Sequence, residues 1–134
     1  MDGMTPIEAA GVWSGLLILL LAALAFRVVS NRRKHRVLFG DGGVDAMLVA
    51  TRAFGNAAEY LPVGVAALLL LALTGFETLA VHLFGALFLA GRVIHAVGLR
   101  VGKGPGAGRL VGMVLTLLPL MAVGVLLVVR PLLG

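Results

Sequence analysis

The sequence has no cysteine and few charged side chains, and both shortages restrict what the protein can be. Without thiols it has neither a disulfide framework nor a cysteine metal site. Only 13% of its 134 residues are charged, whereas roughly 25% are charged in an average soluble protein. Hydrophobic residues instead make up 60% of the chain. A soluble fold would have to expose much of this apolar surface, so the composition predicts a single membrane-embedded domain, residues 1–134.

Four apolar runs are each long enough to cross a bilayer, because about 20 helical residues span a hydrocarbon core of ~30 Å. They cover residues 7–29, 45–74, 78–99 and 108–129. Turn-forming segments separate them. The N-terminal segment is acidic rather than basic, so we expect the first run to be retained rather than cleaved as a signal peptide. The sequence therefore predicts an all-α fold, an integral membrane four-helix bundle.

Basic residues are concentrated in the loops that follow the first and third runs. They are Arg32, Arg33, Lys34 and Arg36 in one loop, and Arg100, Lys103 and Arg109 in the other. Four spans place these two loops on the same side of the membrane, and the opposite side carries mainly acidic residues. The positive-inside rule therefore predicts cytoplasmic basic loops and both termini outside. Because the net charge of +5 is clustered beside apolar runs, it does not indicate nucleic-acid binding.

The second run contains three polar residues that are costly at membrane depth. Arg52, Asn56 and Glu59 are spaced so that they share one face of a helix. One interpretation is an internal network that pins this helix to its neighbours. The other is a ligand site built from the same residues, which we favour because Arg and Glu are expensive ways to hold a membrane bundle together.

Further basic residues lie at the end of the third run and the start of the fourth. Arg92 and His95 share a helix face, and Arg109 opens the fourth run, where it is either a ligand-binding residue or an ordinary snorkelling cation. His95 is open to either interpretation, core residue or ligand contact. No second histidine or carboxylate stands at metal-ligand spacing, so we predict no metal. Since Glu59 cannot neutralise Arg52, Arg92 and Arg109 together, the cluster predicts an anionic ligand.

Residues 52–62, RAFGNAAEYLP, match the pattern R-x-x-x-N-x-x-E-x-x-P at every fixed position. This segment resembles the signature of the MAPEG family, the membrane-associated proteins in eicosanoid and glutathione metabolism. Residues 91–99, GRVIHAVGL, and the Gly-Arg pair at 108–109 are similar to the bacterial branch of that family. The resemblance implies four-helix protomers that assemble as a homotrimer, here in a bacterial inner membrane.

The resemblance also implies a function and a set of site residues. Family members include glutathione transferases and peroxidases that bind glutathione between adjacent subunits, so a glutathione or related thiol co-substrate and a lipophilic electrophile are expected. Residues matching the family's glutathione-binding positions are Arg33 (or Arg32), Arg52, Asn56, Glu59, Tyr60, Arg92 and His95. The residue matching the family's thiolate-stabilising, catalytic arginine is Arg109.

The chain departs from the leukotriene synthase branch, which has tyrosines where this sequence has His95 and Leu99. The loss of two phenol contacts disfavours leukotriene synthesis. Two other functions remain open: a non-catalytic lipid- or thiol-binding protein of the same fold, and an assembly factor for other membrane complexes. A small multidrug transporter is disfavoured, because that class needs a glutamate in its first helix and Glu59 instead stands among arginines.

Overall fold

The computed structural model describes residues 3–102 and 106–133, so Asp2 and Lys103 lie outside the described residues. Within those ranges the protein has four α-helices and no strand. The helices are α1 (Pro6–His35), α2 (Asp45–Leu73), α3 (Thr78–Gly98) and α4 (Ala107–Leu133). Each is long and apolar enough to cross a membrane. The predicted all-α, four-helix membrane fold is confirmed, and the homotrimer stays a prediction.

The first helix is longer than its apolar run, because it continues past residue 29 to His35. An apolar run marks only the part of a helix that lies in hydrocarbon. Arginine and lysine are good helix formers, and basic side chains in the last turn complement the negative end of the helix dipole. The helix begins with a capping box, in which Thr5 accepts from the Glu8 backbone and Glu8 accepts from the Thr5 backbone.

The two middle helices form the centre of the bundle. α1 packs against α2 and α3, α4 packs against α3 and α2, and α1 does not contact α4 in the described part of the chain. The outer faces of α1 and α4 therefore carry large exposed apolar side chains, such as Leu19, Phe26 and Leu118. In a bilayer these side chains contact lipid or another protein surface rather than water.

Glycines bring the last turns of α3 close to the first turns of α4. A Cβ on Gly98 would lie 2.6 Å from the backbone carbon of Gly108, and a Cβ on Gly112 would lie 2.5 Å from the backbone nitrogen of His95. Side chains at these positions would force the helices apart. Close packing of this kind is typical of small residues in membrane bundles, and here it places Arg109 beside the end of α3.

Side-chain contacts tie the helices together at the opposite end of the bundle. The Trp13 indole N–H donates to Nδ1 of His82 at 2.9 Å, which links α1 to α3. Near the end of α4, Arg130 donates to the Gly75 carbonyl at 2.9 Å, and its guanidinium carbon lies 4.5 Å from the centre of the Phe76 ring. These contacts hold the helices together at the end of the bundle that does not carry the basic residues of α2 and α3.

Candidate functional site

A cavity of about 460 Å³ lies where α2 begins, α3 ends and α4 begins. Its size falls within the range of small-molecule sites, roughly 300–1,000 Å³. The wall combines apolar and glycine residues with seven polar or charged side chains. These are Thr51, Arg52, Asn56, Glu59, His95, Arg100 and Arg109. Residues from three helices and from the segment after α3 therefore converge on one space.

The α2 helix presents its polar face to this cavity. Arg52, Asn56 and Glu59 lie one turn apart in sequence order, and all three line the wall. Arg52 and Glu59 are exposed, whereas Asn56 is half-buried. The face inferred from the sequence spacing is thus the face that borders the cavity.

A fully buried arginine lies behind the cavity wall. Arg92 has no exposed surface, and its guanidinium donates to Oδ1 of Asn56 at 2.6 Å and to the Thr116 hydroxyl at 3.3 Å. Its guanidinium carbon lies 5.3 Å from the centre of the Tyr60 ring, which is cation–π distance. Thr116 donates onward to the Gly112 carbonyl at 2.7 Å. Arg92 therefore connects α2, α3 and α4 through one group.

The α2 face shows features of both interpretations, a structural network and a ligand site. Asn56 takes part in a hydrogen bond that pins α2 to α3, as a structural network would require. Arg52 and Glu59 instead border open space, as a ligand site would require. Asn56 does both, because its amide oxygen is held by Arg92 while its side chain also lines the cavity.

Three of the residues matched to the family's glutathione site are not among the residues that line the cavity: Arg33, Tyr60 and Arg92. Arg92 and Tyr60 contact each other behind the wall. Arg33 lies exposed on the last turn of α1. The alternative counterpart, Arg32, donates to backbone carbonyls of the following loop. Direct ligand contacts by these residues stay predictions.

Arg100 was not among the predicted site residues and was expected only to contribute a loop charge that sets membrane orientation. Its side chain lines the cavity directly after α3 ends. The contact between Thr116 of α4 and buried Arg92 was likewise not predicted. The available signal for Arg100 was its position five residues after His95, close to the end of the same helix.

The electrostatics of the cavity favour an anion. Three arginines and one glutamate line it, which gives a formal charge of +2. The N-terminus of α4 adds the positive end of a helix dipole, because Arg109 stands in the first turn of that helix. Within the described ranges, no group of three or more His, Cys, Asp or Glu side chains is arranged to hold a metal ion. The arrangement suits recognition of carboxylates and stabilisation of a further negative charge.

Comparisons with known proteins agree with this architecture. The model of the MAPEG family matches residues 10–129. Inner membrane protein YecN of Escherichia coli (strain K12) is 39% identical over 89 residues, which cover 66% of this chain and 68% of YecN. YecN of Escherichia coli O6:H1 (strain CFT073) aligns with the same identity and coverage. Since the family model extends over nearly all of the four-helix bundle, the chain belongs to the MAPEG family.

Proposed function

We propose that this protein is a membrane-bound transferase or peroxidase that uses glutathione, or a related thiol, against lipophilic electrophiles. The observation that carries the proposal is the cavity whose wall contains Arg52, Arg100 and Arg109 together with Glu59. Glutathione has two carboxylates, one ammonium group and one thiol, so it is a net anion near neutral pH. The cavity offers the opposite balance of charge, three cations with one anion.

Each polar group of the cavity has a matching group on such a ligand. Guanidinium groups bind carboxylates through paired hydrogen bonds, which suits Arg52 and Arg100. The carboxylate of Glu59 suits the ammonium group. The amide oxygen of Asn56 accepts a hydrogen bond from Arg92, so its amide N–H groups are the ones that can donate to the ligand. In this scheme Arg92 orients Asn56 from behind the wall.

The proposed role of Arg109 is to stabilise the thiolate. An ordinary thiol is mostly protonated at neutral pH, and a nearby cation lowers its pKa. Arg109 and the N-terminus of α4 supply positive charge at one end of the cavity. When the thiol ionises, its proton goes to water. The sulfur then attacks a chloroarene, for example, so that a carbon–sulfur bond forms, the carbon–chlorine bond breaks and chloride leaves. Arg109 itself is not consumed.

The membrane setting gives access to the second substrate. The exposed apolar faces of α1 and α4 are suited to lipid contact, and a lipophilic electrophile dissolves in the same phase. We place the protein in a bacterial inner membrane, in keeping with the name of its YecN relative, with the cavity toward the cytoplasm. In a homotrimer with the ligand between subunits, Arg33 would reach the site from a neighbouring copy.

The test uses purified protein, glutathione and an activated chloroarene. We expect conjugation above the uncatalysed rate. Arg52→Ala should weaken glutathione binding by about 10- to 100-fold, because the loss of one hydrogen bond to a charged group lowers the affinity by about this factor. The matched control is Arg27→Ala, which removes an exposed positive charge on α1 outside the cavity wall and should bind as the wild type does.

The same experiment separates the enzyme from its non-catalytic alternative. Glutathione binding that depends on Arg52 but is accompanied by neither thiolate absorbance nor conjugation would favour a thiol-binding protein of the same fold. Equal binding by Arg52→Ala and Arg27→Ala would contradict the proposed site.

A further inference from the structure

The loop between α1 and α2, residues 36–44, displays two neighbouring apolar side chains. Leu38 is 83% exposed and Phe39 is 88% exposed, more than the other large hydrophobic side chains in the described part of the chain. The strongly exposed residues of the helices have lipid or another protein surface beside them in a bilayer. Leu38 and Phe39 instead follow the helix end, beside a cluster of basic residues.

The loop turns back along the helix that precedes it. Arg36 ends α1 in the left-handed conformation, with φ 55°, and the N–H of Val37 donates to the Arg32 carbonyl at 3.1 Å. The Arg32 guanidinium then donates to the Leu38 carbonyl at 3.0 Å and to the Gly40 carbonyl at 3.3 Å. These bonds hold the Leu38–Phe39 segment beside the last turn of α1. The loop backbone therefore folds back against the end of α1.

Close packing within the loop keeps this shape. A Cβ on Gly42 would lie 2.7 Å from a methyl carbon of Val37, and Gly42 has φ 61°, so glycine fits there without strain. Asp41 accepts the N–H of Gly43 at 2.9 Å. The apolar pair is thus presented by a loop that is already folded, which lowers the entropic cost of engaging a partner.

The charges beside the pair identify the partner. Lys34 and Arg36 are exposed on either side of the helix end, where this loop is expected to face the cytoplasmic leaflet. Juxtamembrane basic residues are attracted to anionic lipid headgroups, and apolar residues next to them enter the boundary between headgroups and acyl chains. We propose that residues 34–39 form an anchor for anionic phospholipid, with Leu38 and Phe39 inserted and Lys34 and Arg36 on phosphate groups.

The absence of cysteine makes the test direct, since Phe39→Cys provides a single labelling site. A nitroxide is attached at position 39 in protein reconstituted into nanodiscs of phosphatidylglycerol. Its accessibility to oxygen, which concentrates in lipid, is compared with that to a neutral nickel complex, which stays in water. We expect high oxygen and low nickel accessibility. Val101→Cys, in the other loop at this end and on the cavity wall, should show the reverse. Leu38→Cys is the second labelling site if Phe39→Cys does not fold.

Charge dependence tests the phosphate contacts. The label should lie deeper in phosphatidylglycerol than in phosphatidylcholine, and Lys34→Gln with Arg36→Gln should abolish that difference. Equal depth in the two lipids with the native charges would overturn the anionic-lipid assignment. High nickel accessibility at position 39 would show that the loop lies in water. Low accessibility to both reagents would show that a second copy of the chain covers it. Either result would refute the anchor, and neither bears on glutathione binding.

Discussion

Replacing Gly112 with alanine tests whether the contact between α3 and α4 builds the site. The added Cβ would lie 2.5 Å from the backbone nitrogen of His95 and 2.6 Å from its Cα. Both distances are far below ordinary van der Waals contact. The atoms that the added Cβ would contact are backbone atoms and the Cβ of His95, and a change of side-chain rotamer cannot move them. The two helices must therefore separate by roughly 1 Å, because the neighbouring turn has no flexible side chain to yield.

The cost of this separation is set by overpacking and by one hydrogen bond. Inserting a methyl group into a tight contact typically costs about 1–3 kcal/mol. The Thr116 hydroxyl stands one turn further along α4 and contacts Arg92 at 3.3 Å, so moving α4 outward lengthens that bond first. The shift also draws Arg109 away from His95 across the cavity. We expect lower stability together with weaker glutathione binding.

Thermal unfolding in detergent, with and without glutathione, measures both effects. The matched control is Gly124→Ala on the same helix, where the added Cβ meets nothing within 4 Å. Alanine there should leave the unfolding temperature unchanged or raise it, because alanine favours the helix over glycine by up to about 1 kcal/mol. If Gly112→Ala unfolds at the same temperature as Gly124→Ala and binds glutathione equally well, the reasoning about this contact is refuted.

Two further predictions concern opposite ends of the bundle. Arg109→Ala should abolish the thiolate absorbance of bound glutathione at neutral pH, whereas Arg27→Ala should retain it; unchanged absorbance in Arg109→Ala would exclude the proposed role. Trp13→Phe removes the 2.9 Å hydrogen bond to His82 and should lower stability by about 1 kcal/mol. Thermal unfolding of Trp13→Phe, His82→Ala and the double variant measures this coupling, and strictly additive losses would argue against it.

The length of the apolar runs was sufficient to predict the four helices, and helical periodicity was sufficient to predict the face of α2 that borders the cavity. The four runs predicted the four helices because each spanning helix must satisfy its own backbone hydrogen bonds in the bilayer. The spacing of Arg52, Asn56 and Glu59 correctly predicted a shared face, since helical geometry alone fixes it. The extension of α1 to His35 was not predicted, because hydropathy marks the bilayer and not the end of the helix.

Relations between helices were not accessible from sequence. Arg92 and Arg52 both carry a guanidinium group. Arg92 is fully buried against Asn56 and Thr116, whereas Arg52 is exposed on the cavity wall. Only the packing of α3 against its neighbours separates these environments. Arg100 lines the cavity because of where the segment after α3 lies, and this position also depends on how the helices pack.

The most direct test is a cryo-electron microscopy map of the protein in lipid nanodiscs with saturating glutathione. The proposal predicts density for the tripeptide in the cavity, with its carboxylates on Arg52 and Arg100, its amine on Glu59 and its sulfur near Arg109. Density at another place on the protein, or a cavity without tripeptide density at saturating ligand, would contradict the central claim.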